Sequence, residues 1–316
     1  MTKVYVFGHK NPDNDSIVSA AVYAEFLNAS EPEGSQREYI AARLGDIPPE
    51  TRYIFERFDA LDMLPALLPE SKPGDEAMKV VLVDHNEYAQ SADGIRDMEI
   101  VEVLDHHRIG DIQTAAPIPF MSLPYGSTAT LVTVQYMDTE TPLPNWAAGA
   151  LLSAVLTDTV ILKSPTTTEV DREVVELLAS GIDVDSQEFG MELFRVRSEA
   201  HPFEAAAVLT TDLKEYDKDG KTVAIVQYES ATLDPVFAAR AEIEAEMDRL
   251  RAENNWDLFL FMATDIIKEG SELFAVGADS LDLAEKAFGS DFAQGSVWMP
   301  GVLSRKKQVA AAIMDT

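Results

Sequence analysis

The chain contains no cysteine, so neither disulfide bridges nor thiolate metal ligands are available to it. That absence suits a reducing compartment. Long apolar runs are also missing: MTKVYVFGHKNPD lacks the apolar core of a secretory leader, and charged residues interrupt the longest hydrophobic stretches. The expectation is therefore a cytoplasmic globular protein with no membrane span. Positive charge is scarce. Lys and Arg number 25 against 55 Asp and Glu, a formal balance of −30. So acidic a surface repels nucleic acid and anionic membranes unless a local basic patch overrides it. Acidity alone does not imply cation binding, because a merely solvated surface gives the same count. Repeats, low-complexity tracts and long Pro/Gly linkers are absent as well.

What is present is enough apolar material for two cores, 46% of 316 residues. The first half alternates strand and helix patterns. KVYVFG (3–8), KVVLVD (79–84) and EIVEVLD (99–105) read as strands, the second nearly continuous in apolar residues, as in a parallel sheet covered on both faces. Helices are expected over 15–29, from near Ser127, over 146–158 and from about Glu169. This is an α/β pattern with a mostly parallel sheet. The texture changes after residue 190. A helical stretch (185–199) leads into His201-Pro202, followed by strand candidates at 221–230, 257–266 and 272–278, a charged helix at 235–254, and a last strand-like run, GVLSRKKQ (301–308). The expected division is a catalytic domain over 1–192, a linker at about 193–198, and a smaller α/β domain with a mixed sheet over 199–316.

Three segments each end a strand in metal-capable side chains: GHKNPDND (8–15), VDHNE (83–87) and LDHH (104–107). They hold four of the five histidines, His9, His85, His106 and His107. Ligands of parallel α/β sheets bind beyond the carboxyl ends of the strands, so three such ends converge naturally on one crevice. Gathered Asp carboxylates repel one another, and burial adds a desolvation penalty, unless cations neutralise them. Oxygen-rich ligation with a minority of imidazoles suits a hard or borderline divalent ion such as Mn²⁺. There are more carboxylates than one ion needs, which points to two ions sharing a bridging Asp. Each segment also has a plainer reading. NPD and PDND are ordinary turn and cap chemistry, with Asp15 a candidate cap for the following helix, and VDHNE alone could be a polar turn.

GHKNPDNDS, VDHNE, LDHH, TDTVILKSPT (157–166) and SRKKQ (304–308) together resemble family II inorganic pyrophosphatases, of the DHH phosphoesterase superfamily. The resemblance runs from residue 4 to about 310, with the five motifs in family order. It implies two Mn²⁺ per subunit, with Co²⁺ or Mg²⁺ as alternative occupants and a further Mg²⁺ arriving with substrate. His9 and Asp13 would hold the first ion; Asp15, His106 and Asp158 the second; Asp84 would bridge both. His107 would face the substrate as phosphate ligand and proton donor, while Asp105 and His85 would support ligand orientation. Arg305 and Lys306 match the family's phosphate-binding pair. Lys221 best matches a further substrate lysine, with Lys214 and Lys218 close by. The implied reaction is hydrolysis of pyrophosphate to two phosphates by in-line attack of a hydroxide bridging the two metals, with Asp15, Asp84 and His107 in the catalytic set. The implied site is an interdomain cleft, in a homodimer paired through the N-terminal domain.

Two alternatives stand beside this reading. One is another phosphoesterase of the superfamily, acting on oligonucleotides or polyphosphate. Such relatives commonly carry a GGGH-type segment near the C-terminus, and this chain has SRKKQ there. The other is a non-catalytic metal-binding protein, although no ligand position is substituted. Some relatives insert nucleotide-binding regulatory modules between the first two motifs. Only residues 16–82 separate them here, so a constitutive enzyme is expected.

Overall fold

A computed structural model describes residues 2–70, 76–200, 203–211, 213–277, 281–292 and 295–316. It divides into two compact units, Met1–Arg197 and Ser198–Thr316. His201 and Pro202, where the sequence texture changes, lie outside the described residues. Among the described residues no helix is long and apolar enough to cross a membrane.

The first unit follows the order β1 (Thr2–Phe7), α1 (Asn14–Ser30), β2 (Arg37–Arg43), α2 (Pro49–Arg57), β3 (Ala66–Leu67), β4 (Lys79–Val83), β5 (Glu99–Asp105), β6 (Phe120–Ser122), α3 (Thr128–Asp138), α4 (Asn145–Asp158), α5 (Glu169–Gly181) and α6 (Ser186–Ala200). All six strands pair in parallel, in the order β3-β2-β1-β4-β5-β6. The chain runs outward from β1 to β2 and β3, then returns to β1's other side with β4. The gap between the carboxyl ends of β1 and β4 is therefore the point where strand order reverses. Val4, Val6, Phe7 and all of Val80–Val83 are buried, as a doubly covered sheet requires. α1 and α4 are buried nearly all round and pack on each other. α6 is one continuous helix across residues 193–198, the stretch that sequence texture suggested as a linker.

The second unit holds α7 (Ala205–Val208), β7 (Lys214–Lys218), β8 (Lys221–Ser230), α8 (Asp234–Ala238), α9 (Arg240–Asn254), β9 (Leu258–Asp265), β10 (Gly270–Val276), α10 (Leu281–Phe288), β11 (Ser296–Pro300) and α11 (Ala311–Asp315). Its sheet, β11-β10-β9-β8-β7, is mixed: β8 and β9 run parallel and the other pairs antiparallel. Alternation along β8 sends Ala224 and Val226 to a core with Ile243, Met247 and Leu250 of α9. Val223 and Ile225 face the opposite core, with Ala284, Val309 and Ile313.

Two sequence expectations fail here. The charged helix expected over 235–254 is two helices, broken at Ala239. GVLSRKKQ is not a strand: β11 ends at Pro300, Gly301 turns with φ +73°, and Arg305–Ala310 is helical and continues into α11. The reason is local capping. Ser304 accepts the Lys307 N–H at 3.2 Å, and Gln308 Oε1 accepts the N–H groups of Leu303 and Ser304 at 2.8 and 2.9 Å.

Close packing of α4 depends on Gly149, where a Cβ would lie within 2.7 Å of Phe58 Cδ2 and nearer still to two other ring carbons. Gly149→Ala is expected to cost about 1–3 kcal/mol by overpacking. A lowered denaturant midpoint with unchanged slope is the expected reading, and an unchanged midpoint would show that Phe58 yields freely.

Candidate metal centre

The three motif segments leave the carboxyl ends of β1, β4 and β5, which are adjacent in the sheet. Their side chains meet at the reversal point. His9 lies two residues past β1. Asp13 is the N-cap of α1, its carboxylate accepting the Ser16 N–H at 2.9 Å. The cap is thus Asp13 rather than Asp15, because the helix starts one residue before Asp15 and puts it, buried, in the first turn. Asp84 follows β4 in a left-handed conformation, φ +59°, which Asp tolerates better than most residues, and its N–H reaches Leu104 O of β5 at 3.0 Å.

Asp84 is the hub. Its Oδ2 stands 3.3 Å from His9 Nε2, and its Oδ1 stands 3.4 Å from His106 Nε2. His9 Nε2 is also 3.6 Å from Asp13 Oδ2, and His106 Nε2 is 3.7 Å from Asp158 Oδ2. Ligand-capable atoms fall into three close groups: His9–Asp13–Asp84, Asp15–His106–Asp158 and Asp84–His106–His107. Backbone carbonyls orient the rings: His9 Nδ1 donates to Lys10 O at 2.8 Å, and His106 Nδ1 donates to Tyr125 O at 3.0 Å. Both Nε2 atoms therefore turn toward carboxylates. His106 Nε2 is buried with no hydrogen-bond partner among the described residues. A buried imidazole nitrogen that faces a carboxylate cluster without a hydrogen-bond partner fits a divalent-ion ligand, so the residues fit such an ion.

Charge in the centre is unbalanced without a cation. Burial and the neighbouring Asp84 push Asp15 up to about 7, and burial with Asp15 raises Asp158 well above the carboxylate range. Burial opposes ionisation of Asp84 too, but the facing imidazoles of His106 and His9, 3.4 and 3.3 Å away, overcome it and hold its carboxyl below the usual range. For the histidines, burial opposes the positive charge, and the facing carboxylates win. His9 rises to about 11, chiefly through Asp13 and Asp84, and His106 to about 9, chiefly through Asp84. The protein offers protons where a metal would otherwise sit.

His107 is half exposed. Its Nδ1 donates to Asp105 Oδ1 at 2.8 Å, which leaves Nε2 as the outward nitrogen. Asp105 is buried and also accepts from Asn86 Nδ2. His85 is buried against Phe7, donates from Nδ1 to Val83 O at 2.9 Å, and is held neutral by burial.

Sequence reasoning missed several residues that shape the centre. Asp15 accepts from Ser19 Oγ (3.0 Å), Ser127 Oγ (2.9 Å), Thr128 N–H (2.7 Å) and Ala129 N–H (2.9 Å), while Thr128 Oγ1 donates to Asp84 Oδ1 at 3.0 Å. The Gly-Ser-Thr start of α3 was legible as a helix start but not as a donor set for these carboxylates. After Asp158 the chain makes a left-handed run, Val160, Ile161 and Leu162, with φ of 50°, 52° and 61°. Such a run costs about 1–2 kcal/mol per residue. It is held by Ile161 N–H to Leu156 O (2.8 Å), by Ser164 N–H to Thr159 O (2.8 Å), and by Ile161 filling the space beside Gly190.

The cationic candidates lie in the second unit. The Arg305 N–H donates to Gln227 Oε1 at 3.3 Å, and Gln227 Nε2 donates to Leu303 O at 3.2 Å, so one β8 side chain brackets Ser304. Lys306 is exposed beside Arg305. Lys221 is not brought to them. It opens β8 at the hairpin, six residues before Gln227, roughly 20 Å away at about 3.3 Å per residue. Lys214 pairs with Ile225, two residues from Gln227, and Lys218 donates to Met314 O at 3.1 Å.

Residues 3–182 match the DHH family N-terminal domain, and residues 191–316 match the DHHA2 domain. Fold and site thus define a protein of the DHH class with a DHHA2 domain. The chain is 41% identical to an Archaeoglobus fulgidus protein named "probable manganese-dependent inorganic pyrophosphatase", over 97% of this chain and 95% of that one. It is 38% identical to a Methanothrix thermoacetophila protein named "manganese-dependent inorganic pyrophosphatase", over 97% and 96%. Among solved structures, a Methanococcus jannaschii protein described as a "putative family II inorganic pyrophosphatase" matches with a TM-score of 0.60 and 37% identity, over 99% and 98% of the two chains. The chain belongs to the family II, manganese-dependent inorganic pyrophosphatases.

Because ligating His and Asp must be deprotonated, metal binding to the ion-free protein releases protons. With His9 at about 11 and His106 at about 9, both hold protons at pH 7.5, so apparent Mn²⁺ affinity should rise with pH toward 9. Calorimetry in buffers of different ionisation enthalpy counts those protons, and a heat independent of buffer would contradict this charge state.

Proposed function

We propose that this chain hydrolyses inorganic pyrophosphate to two phosphates with two divalent ions, manganese by preference. The observation that carries the reading is Asp84, whose two oxygens face two different imidazoles, each backed by further carboxylates. His9 and Asp13 would hold one ion, Asp15, His106 and Asp158 the other, and Asp84 both. When bound, such ions supply neutralisation of the phosphoryl charge and a water that ionises near neutral pH. The chain's own contribution is geometric and protonic. His107, its Nδ1 engaged by Asp105, keeps Nε2 for a phosphate oxygen and for proton delivery to the leaving phosphate. Arg305 supplies a planar fork for phosphate oxygens and Lys306 a point charge. For the additional lysine we now favour Lys214 over Lys221, because the strand register puts Lys214 near the end of β8 that supports Arg305.

The finer parts of this reading come from the family resemblance and are carried with it. They are in-line displacement, a further Mg²⁺ delivered with pyrophosphate, a catalytic domain ending near residue 192, clamping of the phosphates by Lys, Arg and His, and a cytoplasmic homodimer paired through the N-terminal domain.

After chelation, Mn²⁺ should restore phosphate release from pyrophosphate best, ahead of tripolyphosphate and of a dinucleotide. Faster turnover of the dinucleotide would replace this function with a phosphodiesterase, and chelator-insensitive activity would remove metals from it. Asp84→Asn should lower turnover by more than about a hundredfold, beyond the usual range for losing an outer partner of a metal ligand. Lys214→Ala should raise the KM for pyrophosphate roughly tenfold, the worth of one charge-assisted hydrogen bond, and Lys221→Ala should leave it unchanged. The reverse pattern would return the role to Lys221.

A further inference from the structure

The starts of α3 and α5 meet on one buried carboxylate that the reaction does not use. Asp171 accepts the Gly126 N–H on both oxygens, at 3.0 and 2.9 Å, and accepts from Thr130 Oγ1 at 2.6 Å. It also accepts from the N–H and Oγ1 of Thr168, both at 2.7 Å. The Thr168 contacts are the capping box of α5 and need no other explanation. Those to Gly126 and Thr130 do, because they tie a helix cap to a turn more than forty residues earlier in the chain.

That turn is tightly held. A Cβ on Gly126 would lie 2.6 Å from Thr159 Cγ2 and 2.9 Å from Asp171 Oδ2, so the turn is pressed between Asp171 and the residue that follows Asp158. The next three residues deliver the donors already described: Ser127 Oγ, Thr128 N–H and Ala129 N–H to Asp15, and Thr128 Oγ1 to Asp84. Among the described residues, three donors, including Ser19 Oγ, occupy Asp15 Oδ1, whereas Oδ2 accepts one, the Thr128 N–H, and keeps a lone pair for a cation. The start of α3 also places its positive dipole end against the carboxylate cluster.

We propose that Asp171 is a positioning residue for the metal position formed by Asp15, His106 and Asp158: its carboxylate fixes the Gly126 turn where the start of α3 meets Asp15 and Asp84. The inference rests on the reading of that triad as a metal site. Direct hydrogen-bond partners of metal ligands typically govern metal affinity by about 10–100-fold, and Asp171 acts by holding such partners in place.

The test is a Mn²⁺ titration of the metal-free protein by calorimetry, with electron paramagnetic resonance counting bound ions. Asp171→Asn should weaken one of two Mn²⁺ by roughly 10–100-fold and spare the other. Thr130→Val, which removes one donor and keeps the shape, should act in the same direction with smaller size, and it carries the test if Asp171→Asn does not fold. Leu178→Ala is the control, since it loosens buried packing of α5 away from the turn. It should lower the unfolding temperature and leave both affinities unchanged. Wild-type affinities in both network variants, or an equal loss in Leu178→Ala, would overturn the proposal. Asp15→Asn separates the two levels. If it still binds two Mn²⁺ normally, the metal reading fails; if it loses one while Asp171→Asn loses none, only the positioning role fails.

Discussion

The structure of the first unit is organised around one electrostatic problem: four aspartates converge near the end of a parallel sheet, and burial makes the charges of three of them, Asp15, Asp84 and Asp158, costly. Asp84 is central to how that problem is met. It stands at the end of a strand buried on both faces, turned by a left-handed residue so that its two oxygens open in different directions. Each oxygen meets an imidazole whose other nitrogen is committed to a backbone carbonyl. The cluster is therefore partly balanced by the protein and completed by cations. The reversal of strand order between β1 and β4 creates the opening in which this can happen.

Much of the surrounding architecture serves to hold those carboxylates still. α1 begins on Asp13, so a residue of the centre also ends the loop from β1. The start of α3 supplies hydroxyl and N–H donors, and the strained run after Asp158 is locked by helix-end hydrogen bonds and by the space beside Gly190. Strain of this kind persists only where packing over-determines it. The second unit solves a different problem. In a chain of net charge −30, it presents Arg305 and Lys306 at a helix start braced by two glutamines, Gln227 and Gln308.

Legibility from sequence followed the range of the forces involved. β4 was readable because a strand covered on both faces must be apolar along its length. α5 was readable because its Thr-capped start is local chemistry. The strand reading of GVLSRKKQ failed because the Val-Leu pair suggested β structure, while a Gly turn and a Ser cap decided for helix. The cap of α1 was misjudged by two residues, Asp15 for Asp13, since both are good caps and only the packed helix shows which one is buried.

The sequence by itself determined the inventory: strand-terminal His and Asp residues in an order that specifies the family, and a lack of thiol that leaves oxygen and imidazole as ligands. Tertiary structure alone decided the pairings. That Asp84 faces two imidazoles, that Asp15 rather than Asp13 is enclosed by α3, and that Lys214 rather than Lys221 lies near the support of Arg305 all depend on strand order and register. Those follow from long-range packing of the cores, and no local preference in the chain encodes them.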